Sequence, residues 1–343
     1  MTAYLSYKLR NLSALLILMV IYIHMYYSEG ESMYTLTTIE GIIGGGICRV
    51  AVPLFYIISG YLFFLSVPDG MKSIGQKLKK RCRTLLVPYI LANIFTFVFY
   101  LILNILALEI KAVDNVMNFK VLNMIRGGNP WDTFWMVFNP PIAFQLWFVR
   151  DLMIAMLVSP LIRMIHRWIK DNAIFPLVLI VLFAICTISQ ITAFCFFYLG
   201  GWIAISGKQI DTRCQSSKMA ASIFIIYILM SVFYGLGHLP DNIARCIPLI
   251  GIPALWMTYD MIRIPENSNL TKLLTGYTFF IYLIHEPLLN IFKKIPLLVN
   301  QGEIMLTVCY LTIPIVFYVT ASWFGKWMKG IIPRLYSVYT GGR

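Results

Sequence analysis

Charged residues are scarce in this sequence, making up 13% of its 343 residues, whereas a soluble domain carries roughly 25%. Acidic residues are the scarcest, since the sequence has 15 Asp and Glu but 28 Lys and Arg, which leaves a net charge of +13. So few charges exclude a water-soluble globular enzyme, and the 59% of hydrophobic residues exclude a disordered chain. A mean hydropathy of +0.76 instead indicates an integral membrane protein with many spans.

Paired cysteines are also lacking. The seven cysteines occur singly, without any C-x-x-C spacing, and most lie in apolar runs where a thiol behaves as a small hydrophobic group. We therefore expect neither a disulfide framework nor a metal site. In a membrane chain the excess of basic residues points to contact with anionic lipid, so we expect no nucleic-acid partner.

Long apolar runs recur along the whole chain, and about 20 mostly apolar residues suffice for a helix to cross a membrane. Ten segments meet or approach this length: 11–27, 42–66, 84–108, 141–162, 173–189, 191–206, 218–236, 244–262, 273–292 and 303–325. We predict an all-α integral membrane protein with about ten transmembrane helices, forming a single membrane-embedded domain over residues 1–343. The mixed segment 114–140, with two tryptophans, is predicted to be an interfacial segment within that domain.

The basic residues predict the orientation. With the N-terminus in the cytoplasm, twenty of the 28 Lys and Arg fall in cytoplasmic segments and six fall outside. Cytoplasmic loops of membrane proteins carry such an excess. We therefore predict that both termini are cytoplasmic.

Five ionisable residues lie inside the predicted spans: His24, Arg49, Arg150, Asp151 and His285. Ionisable groups at this depth are costly, so each is a functional candidate. At about 1.5 Å per residue, four helices place them at one level in the outer half of the membrane. We predict one polar cavity there. Structural alternatives stay open: an ion pair for Arg150 with Asp151, interhelical hydrogen bonds for each histidine, and snorkelling for Arg49.

A basic cluster precedes the third predicted span and consists of Lys77, Lys79, Lys80, Arg81 and Arg83. It is either a topology signal that contacts anionic lipid or a phosphate site, because Arg and Lys at a helix N-terminus suit a polyphosphate ligand. The glycines at 44–46 resemble no phosphate loop and predict close helix packing.

Several short motifs occur in order along the chain. They are Arg10-Asn11-Leu12 leading to His24, Arg49-Val50-Ala51-Val52-Pro53-Leu54-Phe55 leading to Ser59-Gly60-Tyr61, Lys80-Arg81-Cys82-Arg83 followed by Pro88-Tyr89, Leu146-Trp147-Phe148-Val149-Arg150-Asp151, and Tyr282-Leu283-Ile284-His285. Together they cover almost the whole chain and resemble the acyltransferase-3 family, the integral membrane acyltransferases that O-acetylate bacterial cell-surface glycans.

The resemblance implies a ten-helix acyltransferase in the bacterial inner membrane. It would take acetyl-CoA from the cytoplasm and pass the acyl group to a hydroxyl of a glycan or a lipid-linked sugar. The family's first-helix histidine falls on His24, and its basic pair falls on Lys80 and Arg83. The chain departs from the family twice: Arg10 lies further from His24 than usual, and Lys80 replaces an arginine, which keeps the charge without bidentate phosphate geometry.

These residues predict a mechanism of O-acylation. An alcohol needs a general base as it attacks a thioester, and His24 fits that role, with an acyl-histidine intermediate as the alternative. Arg49 or Arg150 would stabilise the oxyanion, and Asp151 would orient an arginine or a histidine.

The remaining predicted roles belong to three groups of residues. His285 completes the predicted catalytic group. The predicted substrate-binding residues are Trp147, Ser59 and Glu286. The predicted CoA-binding residues are Lys79, Lys80, Arg81 and Arg83.

Two other function classes stay open. A transporter of a small serine-like substrate or of a lipid-linked sugar would use the same polar cavity, although the basic cluster favours a CoA user. A structural scaffold is disfavoured, because buried charges on several helices cost stability without an evident structural return.

Overall fold

The computed structural model describes residues 1–27, 33–65, 71–109, 129, 131, 134–135, 141–169, 174–208, 210–262, 264–265, 268–299 and 301–342. Within them the chain is helical almost throughout. The α-helices are α1 (Ala3–His24), α2 (Tyr34–Glu40), α3 (Ala51–Leu65), α4 (Met71–Arg81), α5 (Val87–Glu109), α6 (Trp147–Leu157), α7 (Ser159–Ile169), α8 (Ile174–Ile185), α9 (Ser189–Ile205), α10 (Ser217–Gly235), α11 (Asp241–Ala244), α12 (Ile247–Tyr259), α13 (Asn269–Gly276), α14 (Thr278–Val299), α15 (Glu303–Ile331) and α16 (Pro333–Tyr339). The other helical turns are π-helices over Gly41–Gly46 and Cys82–Leu86 and 3-10 turns over Ile47–Val50 and Phe144–Leu146.

Among the described residues, five helical runs are long and apolar enough to cross a membrane. They are Ala3–His24, Tyr34–Leu65, Ser73–Leu106, Ser217–Gly235 and Glu303–Ile331. Large apolar side chains on their outer faces are exposed, as at Ile225, Ile226 and Leu229 of α10, which is the arrangement that contact with lipid requires. The predicted all-α membrane protein is therefore confirmed, whereas the total of ten spans and the side of the termini stay predictions.

Several of the other predicted spans are interrupted helices. The predicted span 141–162 contains a 3-10 turn, α6 and the start of α7, and 273–292 contains the second half of α13 and the first part of α14. The predicted spans 173–189 and 191–206 correspond to α8 and α9, which are apolar but have only 12 and 17 residues. These breaks are local features that average hydropathy does not register.

The predicted interfacial segment 114–140 lies almost wholly outside the described residues. Trp131, Phe134 and Trp135 are described, and their side chains are exposed and contact one another. The interfacial assignment stays a prediction.

Helices α3 and α9 cross in direct backbone contact. A Cβ atom at Gly60 would lie 1.8 Å from the carbonyl oxygen of Phe197, and one at Gly200 would lie 2.1 Å from that of Ile57. No side chain fits at either position, so the crossing depends on glycine in both helices. This contact fixes α3 beside α9.

The glycines at 44–46 belong to the π-helix Gly41–Gly46. A Cβ atom at Gly46 would lie 2.7 Å from Cβ of Ser231 on α10, and one at Gly45 would lie 2.7 Å from the ring of Tyr234. The predicted close helix packing at these glycines is confirmed.

Helix α1 lies against α3, α14 and α15, and α6 packs against α9. The short turn before α6 contacts α14. One face each of α1, α3, α6 and α14 therefore surrounds a common interior space.

Candidate active site

A cavity of about 330 Å³ lies among α1, α3, α6 and α14. Helix α1 contributes Ser13, Ile17, Val20 and His24 to its wall. These residues recur every three or four positions and therefore lie on one helix face, which extends about 16 Å at the usual rise per residue. The cavity is thus a long, narrow channel.

The channel wall combines two different polar groups. His24, the last residue of α1, lines it together with Ser13 from earlier in the same helix. Arg81, the last residue of α4, lines it as well. By the predicted orientation, Arg81 belongs to the cytoplasmic side and His24 to the outer side.

His24 is the last residue of α1, and its side chain is 14% exposed. Its ring centroid lies 5.3 Å from that of His285 and 5.9 Å from that of Phe144. Its Nδ1 lies 4.0 Å from Oε1 of Glu286. The structure therefore brings together the two predicted catalytic histidines and one predicted substrate-binding residue.

The sequence His285-Glu286-Pro287 interrupts α14 beside His24. A residue before proline is disfavoured in the α conformation, and Glu286 has φ −75° and ψ 136°, which is extended backbone. In a regular helix successive side chains point about 100° apart. At this break both His285 and Glu286 reach His24.

His285 is fully buried. Its Nδ1 lies 2.8 Å from the carbonyl oxygen of Tyr282. Since a carbonyl oxygen only accepts hydrogen bonds, Nδ1 carries the proton and Nε2 is the acceptor nitrogen. Within the described part of the chain Nε2 has no hydrogen-bond partner, which leaves an open acceptor beside His24.

Gln145 is a site residue that the sequence analysis missed. It lines the channel, and its Nε2 donates to the carbonyl oxygen of Leu283 at 3.3 Å. Among the described atoms its buried Oε1 has no donor. A signal was present, because Gln145 is an amide within the apolar predicted span 141–162 and directly precedes Leu146-Trp147.

Two predicted substrate-binding residues, Ser59 and Trp147, also line the channel. Of the predicted CoA-binding residues, Arg81 is half-buried and reaches the channel. The other three predicted CoA-binding residues are exposed and do not line it: Lys79, Lys80 and Arg83.

Arg49 contacts α10 rather than the channel. Its Nη2 donates to the hydroxyl of Tyr234 at 3.1 Å, and its guanidinium carbon lies 4.7 Å from the centroid of that ring. The Tyr234 hydroxyl in turn donates to Asp241 at 3.0 Å. This network ties the 3-10 turn before α3 to the C-terminal end of α10, and the predicted role of Arg49 in catalysis stays a prediction.

Arg150 and Asp151 pair with each other on α6, with Nε and Oδ1 3.0 Å apart. Oδ1 of the buried Asp151 also accepts from Nε2 of Gln190 on α9 at 3.2 Å. The channel is lined by their neighbours Val149 and Leu152 instead. The geometry therefore favours the structural ion pair, and the catalytic roles predicted for both residues stay predictions.

A buried ion pair at the other end of α1 was also missed. Lys8 Nζ lies 2.6 Å from Oδ1 of Asp260, and both side chains are almost inaccessible to solvent. The ammonium also lies 4.1 Å from the ring centroid of Trp256. These contacts join α1 to the end of α12, and no sequence spacing connects residues so far apart in the chain.

Among the described residues, no three His, Cys, Asp or Glu side chains are grouped so that they could hold a metal ion. The polar and charged side chains that line the channel include His24, Arg81, Gln145 and Ser59, with His285 and Glu286 beside His24.

The chain matches the family model for the acyltransferase domain over residues 7–323, a range that contains every residue of this site. It is also 24% identical over 362 residues to the succinoglycan biosynthesis protein ExoH of Rhizobium meliloti (strain 1021), covering 100% of this chain and 94% of that protein. No solved structure matches the chain.

Proposed function

From the premise that this chain belongs to the acyltransferase-3 family, we propose that it transfers an acetyl group from acetyl-CoA to a hydroxyl of a cell-surface glycan. The membrane would be the bacterial inner membrane, with the donor on its cytoplasmic side. One observation carries the proposal: Arg81 and His24 line the same channel, and the predicted orientation assigns them to opposite sides of the membrane. Such a channel suits a reaction whose two substrates approach from opposite sides.

The Arg81 end suits a CoA donor. CoA carries phosphates beside a long, narrow pantetheine arm, and a guanidinium binds phosphate through several charge-assisted hydrogen bonds. Lys79, Lys80 and Arg83 lie next to Arg81 in the sequence and are exposed, so they would add positive charge outside the channel. The mostly apolar channel wall would hold the arm and exclude water.

The His24 end suits the chemistry. We assign His24 as the general base that takes the proton of the acceptor hydroxyl while the oxygen attacks the thioester carbonyl. The carboxylate of Glu286 lies on the Nδ1 side of the ring, so it would hold a proton on Nδ1 and leave Nε2 as the base. The thiolate of CoA is the leaving group. Gln145, with its unsatisfied Oε1, would accept a hydrogen bond from a substrate N–H or O–H group.

The acceptor would approach from the outer end. Phe144 is 60% exposed and its ring lies in a T-shaped arrangement with that of His24, so it would offer an apolar surface to a sugar beside this histidine. The similarity to a succinoglycan biosynthesis protein supports a polysaccharide acceptor, either free or lipid-linked.

The test compares His24→Ala with His238→Ala in membranes supplied with radiolabelled acetyl-CoA. His238 is exposed and packs on Phe233, away from the channel, so it controls for the loss of a histidine. We expect label transfer to fall to background only in His24→Ala. Mass spectrometry of surface glycans should show the loss of one acetyl mass in cells lacking the gene. Full label transfer by His24→Ala would contradict the base assignment, and unchanged glycans would contradict the acceptor class.

A further inference from the structure

Glu286 is bound on the side of its carboxylate that faces away from His24. Its Oε2 accepts a hydrogen bond from Nδ2 of Asn290, one turn further along α14, at 2.6 Å. The same nitrogen lies 3.3 Å from the hydroxyl oxygen of Tyr100, which reaches across from α5. A chain of polar contacts therefore runs from α5 through an amide to the carboxylate beside the histidines.

This contact decides where the second carboxylate oxygen points. With Oε2 bound to Asn290, Oε1 is left 4.0 Å from Nδ1 of His24. A hydrogen bond between these atoms needs about 2.7–3.2 Å, so a small rotation of the imidazole would close the gap. Without the amide, the carboxylate would be free to turn about its last torsion, which is broad for Glu.

The chemistry of the amide suits this task. A side-chain amide donates a hydrogen bond without adding a charge of its own, so it favours the ionised carboxylate without competing with His24 for its negative charge. The neighbouring ionisable groups are His24 on α1, His285 and Lys293 on α14, and Tyr100 on α5. Asn290 is the member of this group that binds the carboxylate while remaining neutral at every pH.

We propose that Asn290, held in place by its contact with the hydroxyl of Tyr100, is a positioning residue that keeps Glu286 ionised and directed at His24 during acyl transfer. This inference rests on the proposed function. It predicts that Asn290 acts through the carboxylate and not through the general stability of α14.

The experiment measures acetyl transfer by Asn290→Leu in membranes, at a range of pH values. We expect kcat to fall about 10- to 100-fold with KM for acetyl-CoA unchanged, because the amide binds a catalytic group and not the donor. We also expect the acid limb of the rate profile to move up by about one pH unit, because a carboxylate that loses a donor is protonated more easily. Asn11→Leu is the matched control, since Asn11 is a buried asparagine on α1 whose amide donates to the carbonyl of Tyr7 and to the hydroxyl of Tyr259, away from His24. That control should shift neither kcat nor the acid limb.

A double-substitution cycle with Glu286→Gln separates positioning from a structural role. If Asn290 acts through the carboxylate, Asn290→Leu costs little further activity in the Glu286→Gln background. Tyr100→Phe removes one hydroxyl and should lower kcat by a smaller factor, again with little effect in the Glu286→Gln background. This variant keeps the test available if Asn290→Leu folds poorly.

Three results would overturn the positioning role: equal losses in both backgrounds, an unmoved acid limb, or a change confined to KM. In all three the wild type still transfers acetyl groups, so the proposed function stands. A wild type that transfers no acyl group to any acceptor overturns the proposed function, and the positioning role falls with it.

Discussion

The rings of His24 and His285 lie 5.3 Å apart at one end of the channel, although they come from the first helix and from α14. His285 is fixed by its bond to the carbonyl oxygen of Tyr282, and its second nitrogen is open. His24 is the histidine of the pair that lines the channel. The pair therefore combines a histidine that lines the channel with a fully buried partner.

Replacing Glu286 by Gln should lower acyl transfer about 100- to 1000-fold while leaving the amount of folded protein unchanged. The amide keeps the shape of the side chain but cannot act as the anionic partner of His24. Initial rates with saturating acetyl-CoA measure the effect. A rate within twofold of the wild type would remove Glu286 from the mechanism.

Replacing Arg81 by Leu should raise KM for acetyl-CoA about 10- to 100-fold, because a charge-assisted contact to phosphate is lost from the channel wall. Lys79→Leu is the matched control: it removes the same charge from an exposed position outside the channel, and its KM should change by less than about threefold. Equal effects of the two substitutions would show that net charge matters and that the position of Arg81 does not.

Replacing Ser59 by Phe should block the channel midway along α3. The added ring would fill space that the donor needs, so we expect acyl transfer to be nearly abolished with little change in thermal stability. Leu65→Phe places the same side chain at an exposed position of the same helix and should remain active. Activity of the Ser59→Phe protein at the wild-type level would show that the donor does not use this channel.

Replacing Lys8 by Met should destabilise the protein by about 3–5 kcal/mol, because Asp260 would be left as a buried charge without its ammonium partner. The double substitution with Asp260→Asn should recover part of that loss. Thermal unfolding in detergent measures both, with Arg10→Met, on the exposed face of the same helix, as control. An unchanged melting temperature in Lys8→Met would contradict a stabilising role for the pair.

The sequence predicts the position of each site residue along its helix, because a helix rises about 1.5 Å per residue whatever surrounds it. It does not predict the direction in which each side chain points. Arg49 faces Tyr234 on α10, and Asp151 faces Gln190 on α9, although both were predicted to share one cavity with His24. Which face of an apolar helix turns inward depends on its neighbours, and these helices are apolar on all sides.

The sequence by itself determined the class of the protein: an all-α membrane protein with the motifs of an acyltransferase, because composition and apolar run length are local properties. Only the tertiary structure decided which polar residues meet. The break at Glu286 brings the carboxylate and His285 together onto His24, and the buried Lys8–Asp260 pair joins residues from opposite parts of the chain. Such contacts depend on helix rotation and on one local break, and neither of these leaves a periodic signal in the sequence.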